Sequence, residues 1–95
     1  MIRTEQQDGK ITFCFEGRMD TASCSSVEAD VGVQVDKADG VVAFDLKAVD
    51  FVSSAFLRIC ISAAKKKGAG KFQVLNAAPQ IKKVFKIAGM DQLVV

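Results

Sequence analysis

The sequence predicts a small α/β domain with a mixed sheet covered by helices, in the order ββαβαβα. Three observations carry that prediction. A turn dipeptide, Asp8-Gly9, is followed by alternation of apolar and polar residues; the run Val41-Val42-Ala43-Phe44-Asp45-Leu46 is nearly continuously apolar; and three later segments have apolar residues at helical spacing. With 95 residues, of which 49% are hydrophobic, the chain suffices for one compact core and leaves little room for a second. Residues 1–95 are therefore read as a single domain.

The first two strands come from Ile11, Phe13 and Phe15 alternating with Thr12, Cys14 and Glu16 beyond the Asp8-Gly9 turn, so residues 2 to 6 and 10 to 16 are expected to pair as a hairpin. Gly17-Arg18-Met19-Asp20-Thr21 interrupts the alternation. Cys24, Val27, Val31 and Val35 then recur at helical spacing, with Ser25 and Glu28 available as a capping box. Asp39-Gly40 marks another turn, and the apolar run after it suits a central strand covered on both faces.

Residues 47 to 52 are expected to form a short connection, and a second helix starts at about Ser54. Its predicted buried set is Leu57, Cys60, Ile61 and Ala64, opposite a polar stripe of Ser54, Arg58, Ser62 and Lys66. Gly68-Ala69-Gly70 ends this helix, residues 72 to 76 read as a strand, and Pro79 is placed to open a last helix with Ile81, Val84, Phe85 and Ala88 inward and Gly89 at its end. Leu93-Val94-Val95 either adds a short strand or packs down. Phe13, Phe15, Phe44, Phe72 and Phe85 are the expected aromatic core.

Composition narrows the function classes. A net charge of +2 does not produce the field of a dedicated nucleic-acid binder. Lys65, Lys66 and Lys67, with Lys82, Lys83 and Lys86, read either as a solvated face or as a surface for acidic partners or nucleic acid. Cys14, Cys24 and Cys60 are odd in number and widely spaced, so they predict buried thiols and neither a disulfide framework nor a zinc site. The sequence contains no histidine, and Gly68 and Gly70 follow a helix and precede a strand, the reverse of a phosphate-binding loop. No catalytic residue, cofactor or metal is expected, and the protein is not expected to be an enzyme. With no membrane-length apolar run and no signal-peptide centre near the N-terminus, a cytoplasmic protein is expected.

The most informative stretch runs from Asp45 to Arg58, because Ser53 and Ser54 fall on the turn that opens a helix. A phosphate there would meet free amide groups and the positive end of the helix dipole, adding about −1.5 to −2 of charge without melting the helix. Plain helix capping explains the same serines without any phosphate. Asp20, after a strand and before a helix, reads from position alone as a helix cap.

Three segments together resemble the STAS domains, named for sulphate transporters and anti-sigma factor antagonists. They are Glu16-Gly17-Arg18-Met19-Asp20-Thr21, then Asp45-Leu46 through Ser53-Ser54 and Leu57-Arg58, and finally Asn76 with Ile81-Lys82-Lys83-Val84-Phe85 through Gly89-Met90-Asp91. The resemblance implies a bacterial anti-sigma factor antagonist that works by partner switching. In its dephosphorylated state it would bind an anti-sigma factor, usually a GHKL-type serine kinase. Phosphorylation of one serine would break the complex and a serine phosphatase would restore it.

The family's usual pattern, Asp-Ser-Ser/Thr-Gly-Leu, aligned through Leu57, sets Ser53 at the Asp, Ser54 at the first hydroxyl, Ala55 at the usual acceptor and Phe56 at the Gly. The resemblance therefore implies an acceptor moved to Ser54 or Ser53, with Ser54 preferred, and a docking surface of Asp20, Ser53, Ser54, Phe56 and Arg58. Phe56 either belongs to that surface or tucks into the core. The alternative is a non-phosphorylated scaffold or constitutive protein-binding module. No direct nucleic-acid or membrane contact is expected, and the domain is expected to be a monomer or weak dimer.

Overall fold

The computed structural model describes residues 2–68 and 70–95, so Ala69, assigned above to the end of the second helix, lies outside them. The chain forms β1 (Ile2–Gln7), β2 (Lys10–Met19), α1 (Thr21–Lys37), β3 (Val41–Val52), α2 (Ser54–Lys67), β4 (Phe72–Leu75) and α3 (Pro79–Ile87). A short 3-10 turn over Asp91–Leu93 follows. The four strands lie in the spatial order β1-β2-β3-β4, with the first pair antiparallel and the other two pairs parallel. The ββαβαβα order and the mixed sheet are as the sequence predicts.

The hairpin closes through Asp8 and Gly9, both at positive φ (50° and 77°), the backbone that a tight two-residue turn requires. Cross-strand register aligns Ile11 with Val42 and Phe72, and Phe13 with Phe44 and Val74, on one face of the sheet. Phe13, Phe15, Phe44 and Phe85 are fully or almost fully buried, and Phe72 nearly so, as the sequence predicts. Phe44 is the hub: its ring meets Phe13, Phe15 and Phe72 edge-on at centroid distances of 5.6, 4.9 and 4.9 Å. Each such pair contributes about 0.5–1.5 kcal/mol beyond area burial. Cys24, Val31 and Val35 of α1, Phe56, Ile59, Cys60 and Ala63 of α2, and Ile81 and Phe85 of α3 complete this core.

Several local expectations are corrected. The central strand is not covered on both faces: on the face away from the core, Asp45 and its cross-strand neighbours Thr12, Cys14 and Gln73 are only half-buried, and Ala43, though buried, lies outside the core cluster. Residues 47 to 52 are strand, not connection. They pair with Glu16–Met19 of β2 through two register shifts, and Gly17 accommodates the irregularity at φ 84°. Those shifts break the strict alternation that would have marked the segment as a strand.

Ser25 and Glu28 do not cap α1, because the helix starts four residues earlier. In α2 the buried stripe is rotated by about one position, to Phe56, Ile59, Cys60 and Ala63, leaving Ile61 exposed, whereas the polar stripe of Ser54, Arg58, Ser62 and Lys66 faces solvent. Ala88 is exposed rather than inward. Cys14 is half-exposed, in contrast to the buried Cys24 and Cys60. At the C-terminus Val94 forms a parallel bridge with Val74, and the Val95 N–H donates to the Val74 carbonyl at 2.9 Å. Among the described residues no helix is long and apolar enough to cross a membrane.

Candidate functional site

Two parallel strands, β2 and β3, end level with each other, with Met19 paired to Val52. Each is followed by one residue of extended backbone and then by a helix. Those intervening residues are Asp20 and Ser53, and each is the N-cap of its helix. The Ser53 N–H donates to the Met19 carbonyl at 3.0 Å, so the two helix starts are tied together by backbone. Both N-termini therefore open toward the same end of the sheet, the C-terminal end of its parallel strands, where α/β sheets commonly receive ligands.

The capping is parallel in detail. Asp20 Oδ1 accepts from the Ser23 N–H at 2.9 Å, and Ser53 Oγ accepts from the Phe56 N–H at 3.4 Å. The bonds from the Ser23 amide, supported by the nearby Arg18 guanidinium, hold the Asp20 carboxyl below its ordinary range. Ser53 is half-buried, and its hydroxyl also lies 3.9 Å from Cys24 Sγ, which itself donates to the Met19 carbonyl at 3.7 Å. Burial raises the Cys24 thiol, so it sits there protonated and able to donate.

Ser54 is the first residue of α2 and is exposed. Arg58, one helical turn further on, is also exposed on the same stripe. The two serines are thus unlike: one hydroxyl is drawn in as a cap, and the next faces solvent beside the free amides of the first turn. A phosphate on Ser54 would sit at the positive end of the helix dipole.

Phe56, expected at the docking surface, belongs to the core: its exposure is 0%, and its ring packs edge-on against Phe15 at 5.1 Å. As the third residue of α2 it points back over the sheet, and an aromatic there fills the space above Phe15 and Phe44. The exposed aromatic at this end is instead Phe51, 36% exposed, with the Arg18 guanidinium stacked 4.1 Å above its ring. Arg18 Nε also approaches Asp20 Oδ2 at 3.8 Å. The sequence reading missed this pair. Arg18 and Phe51 are cross-strand partners, but only the shifted register brings them opposite each other.

A four-stranded mixed sheet with two capped helix starts joined at one end defines a class of small α/β domain, and sequence comparison places the chain within it. The STAS domain family model matches residues 1–94, and the chain belongs to that family. It is 33% identical over 90 residues to BtrV of Bordetella bronchiseptica, a protein named for anti-sigma factor antagonism, covering 93% of this chain and 78% of that one. An anti-sigma factor antagonist from Mycobacterium paratuberculosis has a similar structure, with a TM-score of 0.86 at 25% identity over 97% of this chain and 80% of that one. The unphosphorylated form of the anti-sigma factor antagonist SpoIIAA shares the fold, with a TM-score of 0.85 at 16% identity over 100% of this chain and 86% of that one. Its phosphorylated form, from Bacillus, aligns with a TM-score of 0.76 at 16% identity, covering 100% of this chain and 89% of that one.

Proposed function

We propose that this STAS domain is an anti-sigma factor antagonist that switches partners through Ser54. In the unphosphorylated state the surface formed by Asp20, Ser53, Ser54 and Arg58, extended by Arg18 and Phe51, docks an anti-sigma factor with GHKL-type serine kinase activity. The kinase transfers the γ-phosphoryl group of ATP to the Ser54 hydroxyl, with ADP leaving and the hydroxyl proton lost; the resulting dianion in that contact releases the partner, and a serine phosphatase resets the surface by hydrolysing the ester to serine and inorganic phosphate.

One observation supports this reading above the others: of two adjacent serines at the same helix start, Ser53 is engaged as the cap and Ser54 is exposed. A charge introduced at the edge of a desolvated contact costs several kcal/mol of binding when acidic groups face it, whereas the helix that carries it is stabilised. The likeness to BtrV and to the antagonist from Mycobacterium paratuberculosis supports the same class of partner.

The direct test is recovery of the domain from its source cells without phosphatase treatment, followed by peptide mass spectrometry of residues 47–58. Phosphate on Ser54, together with co-purification of a GHKL-type protein only by the phosphatase-treated domain, is the expected result. A second reading is favoured by Ala55, which stands at the family's usual acceptor position: a constitutive binding module that no kinase modifies. It predicts the same co-purified protein with or without phosphatase treatment and no phosphate on either serine.

A further inference from the structure

The sheet has one long free edge. β1 is its outermost strand, paired on one side only, and Arg3 through Gln7 are all exposed. Its pairing with β2 is regular along its whole length, and Ile2–Gln7 contains no proline, lysine or bulge of the kind that commonly blunts an edge. The outward-pointing backbone N–H and C=O groups of this strand form a ready template for another strand.

The charges on β1 select which strand. Arg3 and Glu5 lie on the same face, aligned with Cys14 and Thr12 on the side of the sheet away from the aromatic core, and they bridge each other at 3.2 Å. An antiparallel pairing of β1 with a second copy, centred on Thr4, sets each Arg3 directly opposite the other copy's Glu5. A slip of two residues in either direction sets Arg3 against Arg3 or Glu5 against Glu5, which is destabilising. Among the registers that keep the helices of both copies on one face, the strand is therefore complementary to itself in one and repulsive in the next on either side.

We infer that β1 is a homodimerisation edge, through which two copies form a continuous eight-stranded sheet about a two-fold axis at Thr4. The axis stands perpendicular to the sheet, so the helices of both copies lie on the same face. Asp20 and Ser53 open at the ends of β2 and β3, not along the β1 edge, so both helix-start surfaces stay accessible in the dimer. A pairing of one short strand from each copy buries little area, and the dimer belongs to the weak, concentration-dependent class.

Sedimentation velocity over a concentration series to the millimolar range tests the register directly. The wild type is expected to show a concentration-dependent dimer, and R3E and E5R, which place like charges opposite each other, are each expected to weaken it by about tenfold. The double variant R3E/E5R restores opposite charges and is expected to recover the wild-type dimer. Mixing R3E with E5R sets two carboxylates of one chain against two guanidinium groups of the other and is expected to yield a heterodimer. A wild type that stays monomeric throughout, or a dimer that both single reversals leave intact, or a double variant no better than either single one, would overturn the inference.

Discussion

The Ser53 N–H donates to the Met19 carbonyl at 3.0 Å, and this one bond aligns two helix N-termini at the end of the parallel strands. Because Met19 precedes the cap of α1 and Ser53 is the cap of α2, the bond couples the ends of both connections. Anything that binds across Asp20 and Ser54 therefore meets a surface fixed by backbone.

The two serines should separate in their effects on stability. Ser53→Ala removes the α2 cap and is expected to destabilise the domain by about 0.5–1 kcal/mol, the low end of what a cap contributes, because the bond to Phe56 is long. Ser54→Ala, at an exposed first-turn position, is expected to stay within about 0.5 kcal/mol of wild type. Urea unfolding of both variants measures the difference.

The two aromatic residues at this end should separate in the same way, one acting on stability and the other on binding. Phe56→Ala opens a cavity between Phe15 and Phe44 and is expected to cost about 3–5 kcal/mol, a large part of the stability of a domain this size. Phe51→Ala removes a half-exposed ring and is expected to leave the midpoint of unfolding nearly unchanged while weakening partner capture. Thermal unfolding and binding measured on the same preparations distinguish the two.

Much of this architecture is legible in the sequence. Asp8-Gly9 and the alternation after it define the hairpin, and the periodicity of residues 54 to 67 defines α2. What escapes is set by geometry that pattern does not encode. The strand character of residues 47 to 52 is hidden because the register shifts opposite Glu16 and Gly17 disrupt alternation, so Val49 and Val52 are buried while Phe51 faces outward. The same shifts hide the Arg18–Phe51 stack, and hydrophobicity alone gives no reason to bury Phe56 and expose Phe51. The capping role of Asp20 was one of two readings in the sequence, and the structure bears it out. Ser25 and Glu28 matched a capping pattern at a point where the helix was already under way.

Acid should destabilise the domain partly through Asp20. Its carboxyl titrates lower in the folded chain than in the unfolded one, chiefly because the Ser23 amide bonds to the ionised form. The stabilisation is therefore complete above the ordinary aspartate range and is lost as pH falls from that range through the lowered folded value. Asp20→Asn, which retains a capping oxygen but does not titrate, is expected to flatten this part of the profile while leaving stability at neutral pH close to wild type. Melting temperatures of both proteins between neutral pH and pH 2 provide the check.

Thiol reactivity should report the three cysteine environments. Cys14 is half-exposed, whereas burial pushes the Cys24 thiol up and the Cys60 thiol well up. One thiol per chain is expected to react promptly with a chromogenic disulfide under native conditions, and the other two only on unfolding. Peptide mapping of the alkylated protein should assign the prompt site to Cys14.

The measurement closest to the central claim is the affinity of the co-purified anti-sigma factor for wild type, Ser54→Ala and Ser54→Asp, read by calorimetry at one ionic strength. Wild type and Ser54→Ala are expected to bind alike, and Ser54→Asp about a hundredfold more weakly, consistent with a few kcal/mol for a charge buried in the contact. Equal affinity for all three proteins would contradict a switch at Ser54.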